Sequence, residues 1–542
     1  MEIGLDGNSI TVAGDPTSYE RSTILGINGA KWSPLYKRFE IPNTALNRKQ
    51  LTKIGFDLVS IEKAEQQHTD KMEKVFEQAR YKYKKMYPFL FDYQLDAVAK
   101  ASINSSLLIA DEMGMGKTLE AFSYAHSRLM EGKIKHILIF CPKSINWQWQ
   151  EEIRKWYKLL PVIIEGDPTK RKRLYSSRPS VMILNYELLL NDYMDIVPLA
   201  VNQLIIFDEM SMLKNPKTRR TKLAKLLQPK YTIGLTGTPV ENRLSDAFTI
   251  GNIVFPNWMT RAEFYRYCRF DKVQVGQAQF TQLVGYNNLD EFMRRFMQIA
   301  IRRKREDVLD MPPKIVQDRF IPLDPQQEMV EKIIIELLKR MYDAGKINTI
   351  LQQFVFLQMA ENSLKLIKYS QAPTLQPIKE HLKFGDGMSN KLIEIKNILS
   401  ESGDEKVIIF TRYVGMAELI ADAIDDKFIV ATGKSDKRFV VKEFRTNPDI
   451  RVLIATDTLA FGVDIPEASM VIICDMLWNP AKMKQRVDRC YRATSKKRVM
   501  VVNLIADGFE KYMYDVMGGK KILSEEVTNF DLKKQLLKFI GR

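Results

Sequence analysis

The chain has 542 residues, 45% hydrophobic and 27% charged, which is the composition of soluble globular material rather than of a disordered chain. Its 82 Lys and Arg against 66 Asp and Glu leave a formal charge of +16, a field that draws polyanions, nucleic acid first and membrane surfaces second. Its longest apolar runs, such as Leu107–Ala110 and Val471–Cys474, are far too short to span a membrane, and Met1-Glu2-Ile3-Gly4 opens no secretory signal.

At about 150 residues per domain, the length predicts three or four structural units. Residues 1–80 form a small unit of their own. From 81 to 255, short apolar β-like runs alternate with helical patterns, the signature of a parallel α/β sheet. Strands are expected at Ser106–Ala110, His136–Cys141, Val162–Glu165, Val181–Asn185, Leu204–Asp208 and Tyr231–Leu235. Residues 256–385 turn helical: Ile333–Leu338 and Thr349–Leu366 carry apolar residues at helical spacing, with Pro312, Pro313, Pro373 and Pro377 as breaks. Helical protrusions and a linker are expected there, ending at Gly385-Asp386-Gly387. A second α/β pattern fills 386–506, with strands expected at Lys406–Thr411, Phe428–Ala431, Val452–Ala455, Met470–Asp475 and Val499–Asn503. The tail, 507–542, reads as one or two helices.

The expected fold class is therefore α/β: two parallel-sheet lobes, helical insertions between them and a small N-terminal α+β domain. Cys141, Cys268, Cys474 and Cys490 lie far apart, and His68, His126, His136 and His381 form no ligand-spaced cluster. Neither a zinc site nor a disulfide framework is expected, and buried, reduced thiols in a cytosol-like compartment are. The run Lys170-Arg171-Lys172-Arg173 reads as a solvated loop rather than a nuclear signal, although a nuclear location stays open.

Three motifs carry chemistry, and they fall at strand ends, where α/β sheets place function. The first is Leu108-Ile-Ala-Asp111-Glu112-Met113-Gly114-Met115-Gly116-Lys117-Thr118, a strand, a glycine turn and a helix start. Backbone N–H groups of such a turn point at phosphates, Lys117 would reach the β- and γ-phosphates and the Thr118 hydroxyl would hold Mg²⁺. Asp111 stands where the strict pattern has glycine. The second motif, Leu204–Phe207 followed by Asp208 and Glu209, ends an apolar strand in two carboxylates: Asp208 would serve the metal and Glu209 the attacking water. The third, Gln485–Arg492, sets arginines three apart, on one face if helical, where guanidiniums can meet charge on a transferring phosphoryl group.

These motifs, in order over roughly residues 88–510, resemble the Swi/Snf-type ATPases of helicase superfamily two. Asp111–Thr118 is similar to the family's D-E-M-G-L-G-K-T. The resemblance implies two RecA-like lobes, ATP and Mg²⁺ as cofactors, and a nucleotide site formed by Gln94, Asp111, Glu112, Met113, Gly114, Met115, Gly116, Lys117 and Thr118, with Gly462 and Asp464 from the second lobe. In it Gln94, from Leu90-Phe91-Asp92-Tyr93-Gln94, reads adenine, and Arg489 and Arg492 are the arginine fingers. Cys141–Ser144 with Asn146-Trp147 and Lys155-Trp156, then Asn185-Tyr186-Glu187, resemble first-lobe motifs that face nucleic acid; Asp208–Ser211 with Lys214-Asn215 resembles the D-E-A-H box and its trailing K-N, and Leu235–Asn242 resembles the motif that links ATP state to DNA grip. Val407–Arg412 and Ala455–Asp464 resemble their second-lobe counterparts. The contacts implied are Lys143, Ser144, Trp147, Asn185, Lys214 and Thr238 on the first lobe, and Thr411, Arg412, Thr456 and Thr458 on the second.

Ile301–Lys304 through Met311–Lys314 is similar to the family's segment after the first-lobe protrusion. Three departures stand out: Ser211 where the family has His; Gly462–Pro466, which is closer to general superfamily-two helicases; and a short helical insert. No chromodomain-like, bromodomain-like or zinc-finger segment is visible. Ile24–Phe56, with Gly29–Trp32 and Arg38–Pro42, resembles the small domain of HARP-type annealing helicases; Trp32, Tyr36 and Phe39 amid basic residues suit either base stacking or the core of a small β domain.

The resemblance implies an ATP-dependent translocase or helicase on double-stranded or branched DNA, largely indifferent to sequence and acting as a monomer. Single-stranded DNA or a single-strand-binding protein are further partners, and no membrane is expected. A strand-separating DNA or RNA helicase, and an annealing or tethering protein with its ATPase as a switch, stay open. The bacterial or phage-infected host cytosol is the expected location. With grip mostly at phosphates, log affinity for DNA should fall linearly with log salt; titration of a labelled duplex at several salt concentrations measures the slope, and a flat response contradicts phosphate-dominated binding.

Overall fold

Four short antiparallel strands build the N-terminal sheet: β1 (Glu2–Asp6), β2 (Ser9–Ala13), β3 (Lys31–Ser33) and β4 (Arg38–Pro42), in the order β1-β2-β4-β3. The register sets Ile10 opposite Ile41 and Val12 opposite Phe39. That apolar face is covered by Ile24, Leu51 and Ile61 from the helices Ser18–Leu25, Ala45–Lys53 and Val59–Met86. Phe39 is wholly buried, and Trp32 packs edge-on against it at 4.8 Å with the Arg21 guanidinium 5.0 Å from the Trp32 ring. Of the aromatics expected to stack on bases, Phe39 is thus core and Trp32 lies against that core; Tyr36 falls outside the described residues. The structure, a computed structural model, describes residues 2–6, 9–14, 17–27, 29–33, 37–42, 45–237, 244–275, 278–344, 354–381, 388–457, 459, 465–478, 480–492, 497–517 and 538–541.

This first compact unit runs from Met1 to Leu90, past the expected boundary at residue 80, because the long helix continues unbroken to Met86. The second unit, Phe91–Arg542, holds two parallel sheets. The first has β5 (Leu107–Ile109), β6 (Ile137–Cys141), β7 (Val162–Ile163), β8 (Val181–Asn185), β9 (Leu204–Phe207) and β10 (Tyr231–Leu235). Strands β6, β9 and β10 are buried along their whole length, as strands covered by helices on both faces must be.

The stretch expected to hold helical protrusions and a linker holds strands as well. A hairpin of β11 (Cys268–Val275) and β12 (Ala278–Tyr286) is followed by β13 (Ala300–Ile301), which joins the edge of the first sheet beside β5. The described order there is β13-β5-β10-β9-β6-β8-β7. Next, β14 (Lys314–Ile321) opens the second sheet, which continues with β15 (Val407–Thr411), β16 (Phe428–Ala431), β17 (Val452–Thr456), β18 (Met470–Ile473) and β19 (Val499–Ala506), in the order β14-β19-β18-β15-β17-β16. Both edge strands escape a periodicity search: β13 is two residues long, and β14 is mostly half-exposed and mixes charges among its apolar residues.

The insertion therefore divides between the lobes. Phe264, Phe292 and Phe296 pack into the first lobe's core, while Val330, Ile334, Leu357 and Ile367 pack into the second's. The basic run Lys170–Arg173, expected in a loop, lies in the helix Pro168–Ser176: Asp167 caps it, Pro168 starts it, and Arg171 pairs with the half-buried-to-buried Asp192 at 2.6 Å. All four cysteines are buried, and none forms a disulfide among the described residues. No helix among the described residues is long and apolar enough to cross a membrane.

The tail docks by a charge. In the second lobe the Lys391 ammonium, almost wholly buried, donates to Asn362 Oδ1 (2.7 Å), the Cys474 carbonyl (2.8 Å) and Glu510 Oε2 (2.6 Å). These contacts join the helices Asn390–Glu401, Val355–Asn362 and Phe509–Val516 to the end of β18. Lys391→Met leaves Glu510 buried without its cation and should destabilise the protein by about 3–5 kcal/mol; urea unfolding followed by circular dichroism measures the loss, and an unchanged midpoint contradicts the assignment.

Candidate nucleotide site between the lobes

The carboxyl ends of β5 and β9 lead into Ala110–Gly116 and Asp208–Glu209, on the same edge of the first sheet. Both segments line a cavity of about 280 Å³. Gly114 and Gly116 sit at φ +80° and +76°, a backbone region that favours glycine. A Cβ on Gly116 would lie 2.5 Å from Gln94 Nε2, and one on Gly114 would lie 2.7 Å from Arg492 Cδ. The loop thus has to be bare on both sides, towards its own lobe and towards the other.

Arg489 and Arg492 from the second lobe line this cavity together with Gly114–Thr118, Asp208, Glu209 and Gln94. Of the nucleotide-site residues expected on both lobes, Gln94, Met113–Thr118, Asp208, Glu209, Arg489 and Arg492 are brought together on this cavity, Asp111 and Glu112 do not line it, and Gly462 and Asp464 lie outside the described residues. The arginines do not ride on a helical face. The helix Pro480–Val487 ends before them, and they sit on the turn that follows. The third arginine of the motif, Arg486, is turned away into the second lobe, paired with Asp457 (2.6 Å) and Asp475 (3.2 Å).

Lys117 opens the helix Lys117–Met130 and folds its ammonium back onto the carbonyls of Asp111 (2.8 Å) and Glu112 (2.9 Å). Burial pushes its pKa down, while Asp111, Glu120 and Asp208 pull it up. Burial pushes the Asp208 carboxyl above its ordinary range, against the Trp149 indole, Lys117 and the Glu209 N–H. The Trp149 indole N–H donates to Asp208 Oδ2 at 2.8 Å and the Glu209 N–H to Oδ1 at 2.8 Å. Glu209 itself is left-handed, φ +56°, an uncommon state for a residue with a side chain, and its Oε1 accepts from the Ser211 hydroxyl at 2.7 Å. Ser211, the departure from the family's His, is therefore a direct partner of the second carboxylate.

A nucleoside triphosphate with magnesium fits these donors. The loop's glycines leave a cradle that a Cβ would fill, a buried ammonium stands at its floor, and Thr118 and Asp208 both face the same space. Gln94 is placed in the wall with its amide engaged: Oε1 accepts from the Phe91 N–H (3.0 Å), and Nε2 donates to the Met115 carbonyl (3.0 Å).

Two loop side chains expected at the nucleotide do other work. Asp111, wholly buried, is gripped by Arg303, whose backbone N–H (2.8 Å) and Nε (3.0 Å) donate to its carboxylate and whose guanidinium also reaches Glu120 (2.9 Å). That cation explains the carboxylate at the position where the strict motif has glycine. Glu112 crosses to the second lobe, pairing with Lys484 at 2.6 Å. Burial alone would raise its carboxyl, but Lys484 and the Arg305 N–H outweigh it and hold the group low.

The residues expected on nucleic acid divide. Lys143 and Arg412 are exposed at the carboxyl ends of β6 and β15, and Ser144, Asn185 and Lys214 are half-buried. Trp147 donates to the Ser144 carbonyl (3.1 Å) and packs on the second lobe's core. Thr411 and Thr456 are corrections: both are buried, with hydroxyls bonded to Asp475 (2.6 Å) and the Ala431 carbonyl (3.3 Å). Thr238 and Thr458 lie outside the described residues. The sequence reading missed Trp149, Arg303, Arg305 and Lys484. Asp111 was the available signal for Arg303, since a carboxylate buried beside a phosphate loop demands a cation; three tryptophans at 147, 149 and 156 gave no means of choosing the one that meets Asp208.

Residues 58–369 match the SNF2-related domain family, and residues 390–494 match the helicase conserved C-terminal domain. Human TATA-binding protein-associated factor 172 is 26% identical over 474 residues, covering 74% of this chain and 26% of that protein. Human DNA annealing helicase and endonuclease ZRANB3 is 25% identical over 467 residues, 82% of this chain and 40% of that one. The putative ATP-dependent helicase/translocase YwqA of Bacillus subtilis (strain 168) is 24% identical over 437 residues, 77% and 46%. The chain spans between a quarter and just under half the length of these relatives. Among solved structures, the Sulfolobus solfataricus SWI2/SNF2 ATPase core in complex with dsDNA is similar at 25% identity, over 80% of this chain and 91% of that one, with a TM-score of 0.38.

Trp149→Phe keeps the buried ring and removes the N–H from Asp208. It should weaken magnesium-dependent ATP turnover about 10- to 100-fold, with the deficit eased by raised magnesium; a turnover curve against magnesium identical to that of the wild type contradicts the role.

Proposed function

The chain belongs to the SNF2-related family, and on that footing we propose that it is a nucleic-acid-dependent ATPase whose two RecA-like lobes close on ATP and Mg²⁺ and move the protein along double-stranded or branched DNA. The observation that carries this reading is a single cavity walled by the phosphate loop of one lobe and by Arg489 and Arg492 of the other. A site with cations from both lobes gives ATP a reason to hold them together and hydrolysis a reason to release them.

In this reading Lys117 meets the phosphate oxygens, Thr118 and Asp208 hold the metal, and Glu209, oriented by Ser211, accepts the proton of the attacking water. Magnesium, when bound, neutralises charge on the phosphate chain. Arg489 and Arg492 stabilise charge developing on the transferred group, and Gln94 holds the loop at the base end of the cavity. Lys143 and Arg412, exposed at the strand ends of opposite lobes, serve the DNA backbone; their contacts would be with phosphate and indifferent to sequence. The charge of +16 supports a polyanion as partner. The human relative ZRANB3 bears the name DNA annealing helicase and endonuclease, which supports DNA as the substrate class.

Steady-state ATP turnover with single-stranded DNA, duplex, forked DNA and RNA tests this. Forked or duplex DNA should stimulate most, Lys117→Ala should abolish turnover with the fold retained, and Arg492→Ala should cut kcat by about 10³-fold or more. Stimulation by RNA or single strands alone would replace the DNA-translocase reading with a strand-separating one; turnover with no polynucleotide at all would end it.

A further inference from the structure

We propose that Arg305 is a positioning residue that sets Arg489 and Arg492 against the phosphate loop, and this rests on the reading above that those two guanidiniums act on the phosphates. The segment leaving β13 runs alongside the loop itself. Ala110 N–H donates to the Ile301 carbonyl (2.8 Å) and Glu112 N–H to the Arg303 carbonyl (3.2 Å), so the backbone pairing of β13 with β5 carries on into the loop. Arg303 then locks Asp111, and the Arg305 backbone N–H donates to Glu112 Oε2 at 3.0 Å. By residue 305 the segment is registered on the loop at three successive points.

From that fixed origin the Arg305 side chain crosses to the other lobe. Its guanidinium donates to Asp488 Oδ1 at 2.7 Å and to the Tyr491 carbonyl, and lies 4.8 Å from the centre of the Tyr491 ring. Asp488 precedes Arg489, and Tyr491 precedes Arg492. Each finger is therefore the next residue after a point that Arg305 holds. The turn they occupy lies past the end of the helix Pro480–Val487, where backbone carbonyls lack helical partners and a cation is favoured. The rest of the same segment closes round it: Tyr491 Oη donates to the Pro312 carbonyl (2.9 Å), and the Lys314 ammonium stands 5.6 Å from the Tyr491 ring.

Arg305 does not line the cavity. It acts through the turn, and a planar guanidinium is the group that can take a carboxylate and a carbonyl at once while lying on a ring. Lys484, on the helix before the turn, meets Glu112 on its other oxygen, so both lobes are measured from one carboxylate. The consequence is that the fingers take their position from the phosphate loop through residues 301–305, independently of the nucleotide.

A double-mutant cycle on DNA-stimulated ATP turnover tests this, with wild type, Arg305→Ala, Arg492→Ala and the double variant, each checked for its fold by thermal unfolding. Arg305→Ala should lower kcat about 100-fold, the scale expected of misplaced catalytic groups, with KM for ATP little changed. In the Arg492→Ala background the same change should cost clearly less than in the wild type, leaving only its effect through Arg489. Because Arg305 and Asp488 are both buried, Asp488→Asn runs the same cycle with an acceptor oxygen kept, and should show the same lack of additivity. Losses that multiply, a change confined to KM, or normal turnover in Arg305→Ala beside an impaired Arg492→Ala overturn this proposal alone. Normal turnover in Arg492→Ala removes the finger reading and this proposal with it.

Discussion

A parallel sheet presents its loops at one edge, so it can reach a phosphate chain from one side only. Closing the other side takes a second body, and here that body is the turn carrying Arg489 and Arg492. The approach is so close that the Arg492 side chain occupies the space a Cβ on Gly114 would need. Much of the site follows from that meeting. The loop must be glycine at 114, its neighbour Glu112 is free to reach across to Lys484, and the helix Asn146–Tyr157 sends Glu151 to Arg438 on the far lobe at 2.7 Å.

The site is also unusually dense in buried charge. Asp111, Glu120 and Arg303 form one cluster, Arg305 and Asp488 a second, and Arg486 with Asp457 and Asp475 a third. Desolvation offsets most of the attraction in such pairs, so they add little net stability, whereas removing one partner is expensive. The arrangement of the first two suits registry: their arginines tie residues 183 or 192 positions apart, and the penalty for separation makes intermediate positions unfavourable. Burial and Asp111 push Glu120 well above the ordinary carboxylate range, with Arg303 and Lys117 opposing them.

Much of the fold was legible because apolar strands between helices leave a strong local pattern. Val181–Asn185, Tyr231–Leu235 and Phe428–Ala431 lie where the periodicity puts them. Strands β13 and β14 were not legible, since a two-residue strand has no period and an edge strand has no need of a continuous apolar run. The nucleotide side was legible for the same reason in reverse: glycines, a lysine and paired carboxylates are chemically necessary there, and few other residues could replace them. The proposed nucleic-acid contacts were less so. Thr411 and Thr456 occupy strand ends, as expected, but a short hydroxyl side chain at a strand end can turn inward as easily as outward, and here both turn inward.

By itself, the amino-acid order determined the two α/β lobes, the loop that begins at Asp111, and the identity of the residues able to meet phosphate and metal, because these depend on local backbone preference and on side-chain chemistry. Only the tertiary structure decided which tryptophan meets Asp208, and that Asp111 and Glu112 serve Arg303 and Lys484. Those are choices among chemically equivalent residues, and they are made by partners between 59 and 372 positions away in the chain, a distance over which sequence spacing carries no geometric information.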